Sequence, residues 1–253
     1  MERARRRDRR PRAARRRRPA ARPGVPVGGG GAARPPGRGD RRPRRFPRGR
    51  DRLDARSRRR WTDVLAERLA ARDGTTRYVV SQGINGNRLL DDGIGTSALA
   101  RFDRDVLATQ GLGHVVIAVG NDLVFSFAPD TEENAALLAL FGGGPVTVED
   151  VVAAHLQAAA RARAHGAKAY AATIAPYGGS EMYTAQGDRA RARVNTWMRS
   201  SGAFDGVLDF DAVWRDPADP SRIREDLHMG DHLHGNDAGY EALAHSIDLA
   251  LFD

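Results

Sequence analysis

His114-Val115-Val116-Ile117-Ala118-Val119-Gly120-Asn121-Asp122 is the stretch from which the rest of the chain can be read. Its apolar residues run without a break, where a half-exposed strand would alternate them with polar ones. That is the habit of a strand buried on both faces of a parallel sheet. The run then stops on Gly-Asn-Asp, residues that favour turns. Similar short apolar segments recur at 77–81, 169–174 and 206–210. Between them lie stretches with apolar residues at helical spacing, at 61–69, 97–108, 185–199 and 238–251. Another helix opens at Thr147 and closes near Gly166, with Glu149 and Asp150 in its first turn, where carboxylates meet the positive end of the helix dipole. Strands alternating with helices of this length predict an α/β protein, a three-layer α/β/α sandwich around a parallel sheet.

The net charge of +9 averages two unlike pieces. Residues 1–60 hold 25 Arg against 5 acidic residues, a charge of +20, whereas 61–253 hold 16 basic residues against 27 acidic ones, a charge of −11. Two parts are therefore expected: a basic, Arg/Pro/Gly-rich segment over 1–60 and one compact domain over 61–253. The first has too little apolar surface to offset the entropy of ordering, and its Gly28 to Gly31 tract lacks the Gly-Lys-Ser/Thr ending of a phosphate loop. It reads either as disordered or as out of frame, because a single lysine, Lys168, among 41 basic residues points to a GC-rich gene. Such DNA read in a wrong frame yields Arg, Pro, Gly and Ala. No stretch is apolar for long enough to span a membrane, and no apolar h-region follows the first arginines, so no export signal is readable. The absence of cysteine excludes disulfides and thiolate metal sites.

Ligands of open parallel sheets bind beyond the carboxyl ends of the strands, and three polar, glycine-rich loops fall there: 83–87, 120–122 and 176–179. A fourth element, Asp231-His232-Leu233-His234, sets a carboxylate and an imidazole three residues apart. Acyl transfer by a hydroxyl nucleophile needs these parts: His234 as base, Asp231 as its orienter, and the Gly86 N–H and Asn121 amide as donors to the developing oxyanion. Each also has a structural reading, as a strand-to-helix turn or a helix cap. His228, Asp231, His232 and His234 could alternatively ligate zinc, but a strand-like stretch alternates its side chains and rarely turns three onto one ion, so no metal and no organic cofactor is expected. An arginine arm can bind polyanions, yet this one has no interleaved aromatics and no recognition fold behind it, which argues against nucleic acid.

These segments together resemble the SGNH (GDSL-type) esterases and lipases, especially their actinobacterial members. The resemblance runs from about Trp61 to Asp253. It is carried by Arg60-Trp61-Thr62-Asp63-Val64-Leu65, Gly83-Ile84-Asn85-Gly86-Asn87-Arg88-Leu89-Leu90, Gly120-Asn121-Asp122, Ser201-Gly202-Ala203-Phe204-Asp205-Gly206 and Asp231-His232-Leu233-His234-Gly235-Asn236-Asp237-Ala238-Gly239-Tyr240. It implies a flavodoxin-like sheet and hydrolysis of carboxylic esters, of a small-molecule, carbohydrate or lipid substrate, through a serine acyl-enzyme. It makes Gly86 and Asn121 the oxyanion donors and Asp231 and His234 two triad members; relatives of this type are often secreted. Two departures stand out. Val119 holds a position where the family has glycine. More seriously, the family's first strand and Gly-Asp-Ser block would place the nucleophile near Phe46, in Arg44-Arg45-Phe46-Pro47-Arg48, where there is no serine. Ser57 and Ser81 lack that context. The first strand thus reads as missing and the chain as inactive in this form, with a ligand-binding dead relative or a polyanion binder as the alternatives.

Overall fold

The computed structural model describes residues 60–72, 77–142 and 144–253. The remainder of the 1–60 segment, including the position near Phe46 and Ser57, lies outside the described residues. Contacts divide the chain into Met1–Arg50 and Asp51–Asp253, and every described residue belongs to the second unit.

Its centre is a parallel sheet of β1 (His114–Ile117), β2 (Lys168–Ala172) and β3 (Gly206–Leu208), in the order β1-β2-β3, with Val115 opposite Ala169 and Ala171 opposite Val207. Side chains alternate across a strand, and here both faces are covered. Val115, Ile117, Ala169 and Ala171 pack with Val151, Ala158 and Ala162 of α4 (Val148–Ala164) and with Val194 and Met198 of α5 (Ala185–Ser200). Val116, Tyr170 and Ala172 turn the other way, toward Leu65 and Leu69 of α1 (Trp61–Ala70) and Leu243 of α7 (Asp237–Ser246). This is the expected α/β/α layering. The helix starts are written in the sequence: Thr147 and Asp150 form a reciprocal capping box, Thr184 accepts the N–H of Gly187, and Asn236 accepts that of Gly239.

Three helices were not anticipated: α2 (Asn121–Ser126), α3 (Glu132–Phe141) and α6 (Phe210–Trp214). The helix expected at 97–108 is a series of turns leading into a π-helix at Asp103–Leu107. There the Leu99 carbonyl is taken by the Arg161 guanidinium at 2.7 Å and the Arg101 side chain is drawn inward to the Gln82 carbonyl, so the regular ladder is interrupted. The segment 77–81, expected as a strand, forms none among the described residues, with Tyr78 and Val80 exposed and Val79 packed on the core. A strand is held by its ladder partner, and the partner expected from the region of Phe46 lies outside the described residues. The last helix ends at Ser246, and a 3-10 turn, Leu249–Phe252, follows after Asp248 caps it. No helix among the described residues is long and apolar enough to cross a membrane.

Candidate active site

The segment 228–235 is a closed turn rather than the strand-like run expected from sequence. His228 and Gly235 bridge antiparallel at its neck, and the Met229 N–H bonds the His234 carbonyl at 2.9 Å. At its tip Gly230 (φ 90°) and His232 (φ 56°) both occupy the left-handed region, which reverses the chain around Asp231. One Asp231 oxygen accepts the backbone N–H groups of Leu233 (3.0 Å) and His234 (2.9 Å); the other faces His234 Nδ1 at 2.8 Å. Partial burial pushes the Asp231 carboxyl up, but the hydrogen bonds from the His234 backbone and ring and from Leu233 outweigh it and hold the group below its ordinary value. A carboxylate at Nδ1 favours the tautomer with the proton there, leaving a lone pair on Nε2. The His234 ring is half-exposed, so that lone pair is accessible.

The glycine-rich loops 83–87 and 120–122 meet each other through Asn87 and Asn121. Gly86 has φ 69°, and a Cβ there would lie 2.0 Å from the Phe141 ring, so only glycine fits. Its N–H makes no hydrogen bond among the described residues. Asn121 Nδ2 donates to the Asn87 carbonyl at 3.0 Å, which orients the amide and leaves its second N–H free. Asp122, buried at the start of α2, accepts the N–H groups of Leu89 (2.6 Å) and Leu90 (3.1 Å) and faces the Arg88 guanidinium at 3.5 Å. Arg88, equally buried, reaches across to the carbonyls of Gly142 (2.7 Å) and Gly144 (2.8 Å). Arg101 fixes Asn87 through its side-chain oxygen at 2.9 Å. Sequence reading overlooked Arg88, Asp122 and Phe141. The signal for the first was an arginine set against Leu89-Leu90, where an exposed charge has no reason to stand.

A cavity of about 220 Å³ lies at the carboxyl ends of β1 and β2 and is walled by Trp61, Asn121, Thr173, Tyr177, Trp214 and Leu233. The third predicted loop, 176–179, thus borders it through Tyr177, whose hydroxyl is pushed up to about 12 by burial and by Asp188. Asn121 and Leu233, neighbours of the two halves of the site, border the same cavity, although no hydrogen bond joins His234 to Gly86 or Asn121. The base of this rim is ionic and buried: Arg191 bonds Asp211 at 2.5 Å, and Asn195 takes both the N–H and the carbonyl of Ile174 at 2.8 Å. Ser81 is exposed and makes no side-chain hydrogen bond among the described residues. The sequence-based zinc alternative is rearranged. Asp231 and His234 pair with each other, while Glu225, His228 and His232 bring ligand-type atoms within 4.8 Å. His228 Nδ1 already accepts two backbone N–H groups, so its Nε2 carries the proton and is not a free ligand.

The family model described as the GDSL-like Lipase/Acylhydrolase family matches residues 37–242. A search of curated proteins found no match. Among solved structures, an acetylxylan esterase from Geobacillus stearothermophilus, Axe2, is similar over 74% of this chain and 78% of its own, with 20% identity and a TM-score of 0.53. LAE5, an alpha/beta hydrolase enzyme from the metagenome of Lake Arreo, Spain, is similar over 76% and 80%, with 20% identity and a TM-score of 0.54. A Desulfitobacterium hafniense DCB-2 protein assigned to the G-D-S-L lipolytic family is similar over 77% and 89%, with 20% identity and a TM-score of 0.53. At this identity the likeness is one of fold.

Proposed function

Since the chain belongs to the GDSL-like lipase/acylhydrolase family, whose reaction is ester hydrolysis, we propose that His234 is the base of its site, Asp231 the orienter, and Gly86 and Asn121 the oxyanion donors. We further propose that the chain as it stands retains this site without turning esters over. The observation that carries the reading is the Asp231–His234 pair: one carboxylate oxygen is occupied by two backbone N–H groups, and the other meets Nδ1 at 2.8 Å. With Nδ1 protonated, Nε2 is the atom that would accept a nucleophile's proton, and Asp231 would stabilise the imidazolium formed. The Gly86 N–H and the second N–H of Asn121 are the donors available to a tetrahedral oxyanion. This chemistry needs neither metal nor organic cofactor. The domain carrying it is 61–253, with 1–60 as a separate segment.

What the site lacks is a hydroxyl in Gly-Asp-Ser context, because the sequence around Phe46 contains no serine. A base without its nucleophile loses most of its rate, since the two act as a unit. A site of this composition holds an ester, or the acid derived from it, without cleaving it; the ester's alcohol is a carbohydrate, a lipid or a smaller group. The full chain is expected to hydrolyse 4-nitrophenyl acetate no faster than its His234→Ala variant. A burst of nitrophenol, or a fluorophosphonate adduct mapped to Ser57 or Ser81, would refute this.

A further inference from the structure

We propose that His228 is a positioning residue for the Asp231–His234 pair, its Nδ1 lone pair holding the turn that aims Asp231 while Glu225 keeps the ring proton on Nε2. This rests on the reading of His234 as the base. His228 is buried. Its Nδ1 accepts the N–H of Gly230 at 2.9 Å and that of His232 at 3.3 Å, the residues on either side of Asp231. A nitrogen that accepts two N–H groups carries no proton, so in the neutral ring the proton sits on Nε2, which donates to Glu225 Oε2 at 3.2 Å. The His228 carbonyl in turn receives the Asn236 amide at 3.2 Å, tying the neck of the turn to the start of α7.

The turn needs this support. His232 stands at φ 56°, a backbone region that a residue with a Cβ occupies only when its surroundings impose it. Without the Nδ1 acceptor, two N–H groups of the turn lose their partner, and His232 loses the bond that holds its N–H while its φ stays in the left-handed region. The Leu233 and His234 N–H groups that fix Asp231 would turn with His232, and the 2.8 Å contact to His234 Nδ1 would no longer be enforced. His232 packs its ring on that of His228 at 4.3 Å and has Glu225 Oε1 at 3.9 Å from its Nδ1; Arg222 approaches the same carboxylate at 3.8 Å. Glu225, His232 and Arg222 are the charged or titratable groups around His228. A cation held by Glu225, His228 and His232 would need the His228 proton moved to Nδ1, against two N–H donors, so the cluster orients rather than ligates.

The test reads ring tautomers and not turnover, so it stays informative whatever the hydrolysis assay gives. The full chain labelled with 15N-histidine has seven imidazoles, resolvable in long-range 1H–15N spectra and assigned by single His→Gln variants. His228 is expected as the Nε2–H form and His234 as the Nδ1–H form. His228→Asn, whose Oδ1 can take the place of Nδ1, should keep the His234 signal, whereas His228→Leu should shift it toward a mixture of tautomers. An Nδ1–H His228, an unchanged His234 signal in His228→Leu, or a saturable zinc-induced shift of His228 Nε2 would overturn the proposal. Should His228→Leu fail to fold, the parent tautomer and the Asn variant still decide. A His234 that lacks the Nδ1 proton in the parent chain would instead count against its role as base.

Discussion

Gly86→Ala is the sharpest probe of the loop proposed to donate to the oxyanion, because its effect divides into two parts that a second substitution separates. Alanine at φ 69° carries the left-handed penalty of about 1–2 kcal/mol. Its methyl would also stand 2.0 Å from Phe141 Cε1 and 2.6 Å from Cδ1, well inside van der Waals contact. The ring is stacked on Phe125 at 4.7 Å, so relieving the overlap means giving up that stacking or overpacking, at roughly 1–3 kcal/mol. The sum, about 2–5 kcal/mol, is a large share of the ~5–15 kcal/mol that holds a domain together. In a Phe141→Ala background the overlap vanishes and only the backbone part, about 1–2 kcal/mol, should remain, giving a coupling of about 1–3 kcal/mol. Urea unfolding followed by tryptophan fluorescence measures all four corners of the cycle; with a slope of ~2 kcal/mol/M the single variant should shift its midpoint by ~1–2.5 M. Equal losses from Gly86→Ala in the two backgrounds would show that Phe141 does not pack on Gly86, and the described geometry of the loop would be wrong.

Asp122→Asn should destabilise by about 2–3 kcal/mol, chiefly because it removes a buried carboxylate that accepts the Leu89 and Leu90 N–H groups, while Arg88 keeps Asp91 at 3.0 Å; a loss under about 1 kcal/mol in the same urea assay would refute this clamp. His155 is fully buried, with Nδ1 on the Val151 carbonyl and no partner for Nε2, and burial holds its folded-state pKa below the ordinary value. Above an unfolded pKa of about 6.5 the ring is neutral in both states, so as pH falls below that value only the unfolded chain takes up the proton and stability drops. His155→Leu should therefore lose less Tm than the parent between pH 7.5 and pH 5, and parallel losses would exclude His155 as the cause. Finally, translating the DNA that encodes residues 41–60 in its other two frames should give an apolar strand followed by Gly-Asp-Ser, and its absence from both would dispose of a shifted frame.

The parts of this fold that could be read from sequence are those governed by a local rule. Uninterrupted Val115-Val116-Ile117 needs no knowledge of its neighbours to read as a doubly buried strand, and Thr147 with Asp150 closes its capping box within four residues. Asp231 and His234 belong to the same class, because three residues of one turn suffice to bring them together. What escaped reading depends on distant residues. The turns at 97–108 arise because Arg161, far along the chain, takes the Leu99 carbonyl. α3 escaped because Glu132–Phe141 carries no apolar stripe and buries only Asn134, whose amide holds the Pro129 and Glu181 carbonyls. The same distinction runs through the site. Asn121 and Gly86 are recognisable by type, but what brings their loops together is long-range: Asn121 bonds the Asn87 carbonyl, Asp122 gathers Leu89 and Leu90, and Arg88 reaches Gly142 and Gly144. The bonds of this clamp named here all join described residues, from the 86–90 loop to the start of α2 and to Gly142 and Gly144. On the proposed roles, the donors Gly86 and Asn121 and the base His234 are thus held by a local turn and by this clamp, and a serine in Gly-Asp-Ser context is the part that the sequence around Phe46 does not supply.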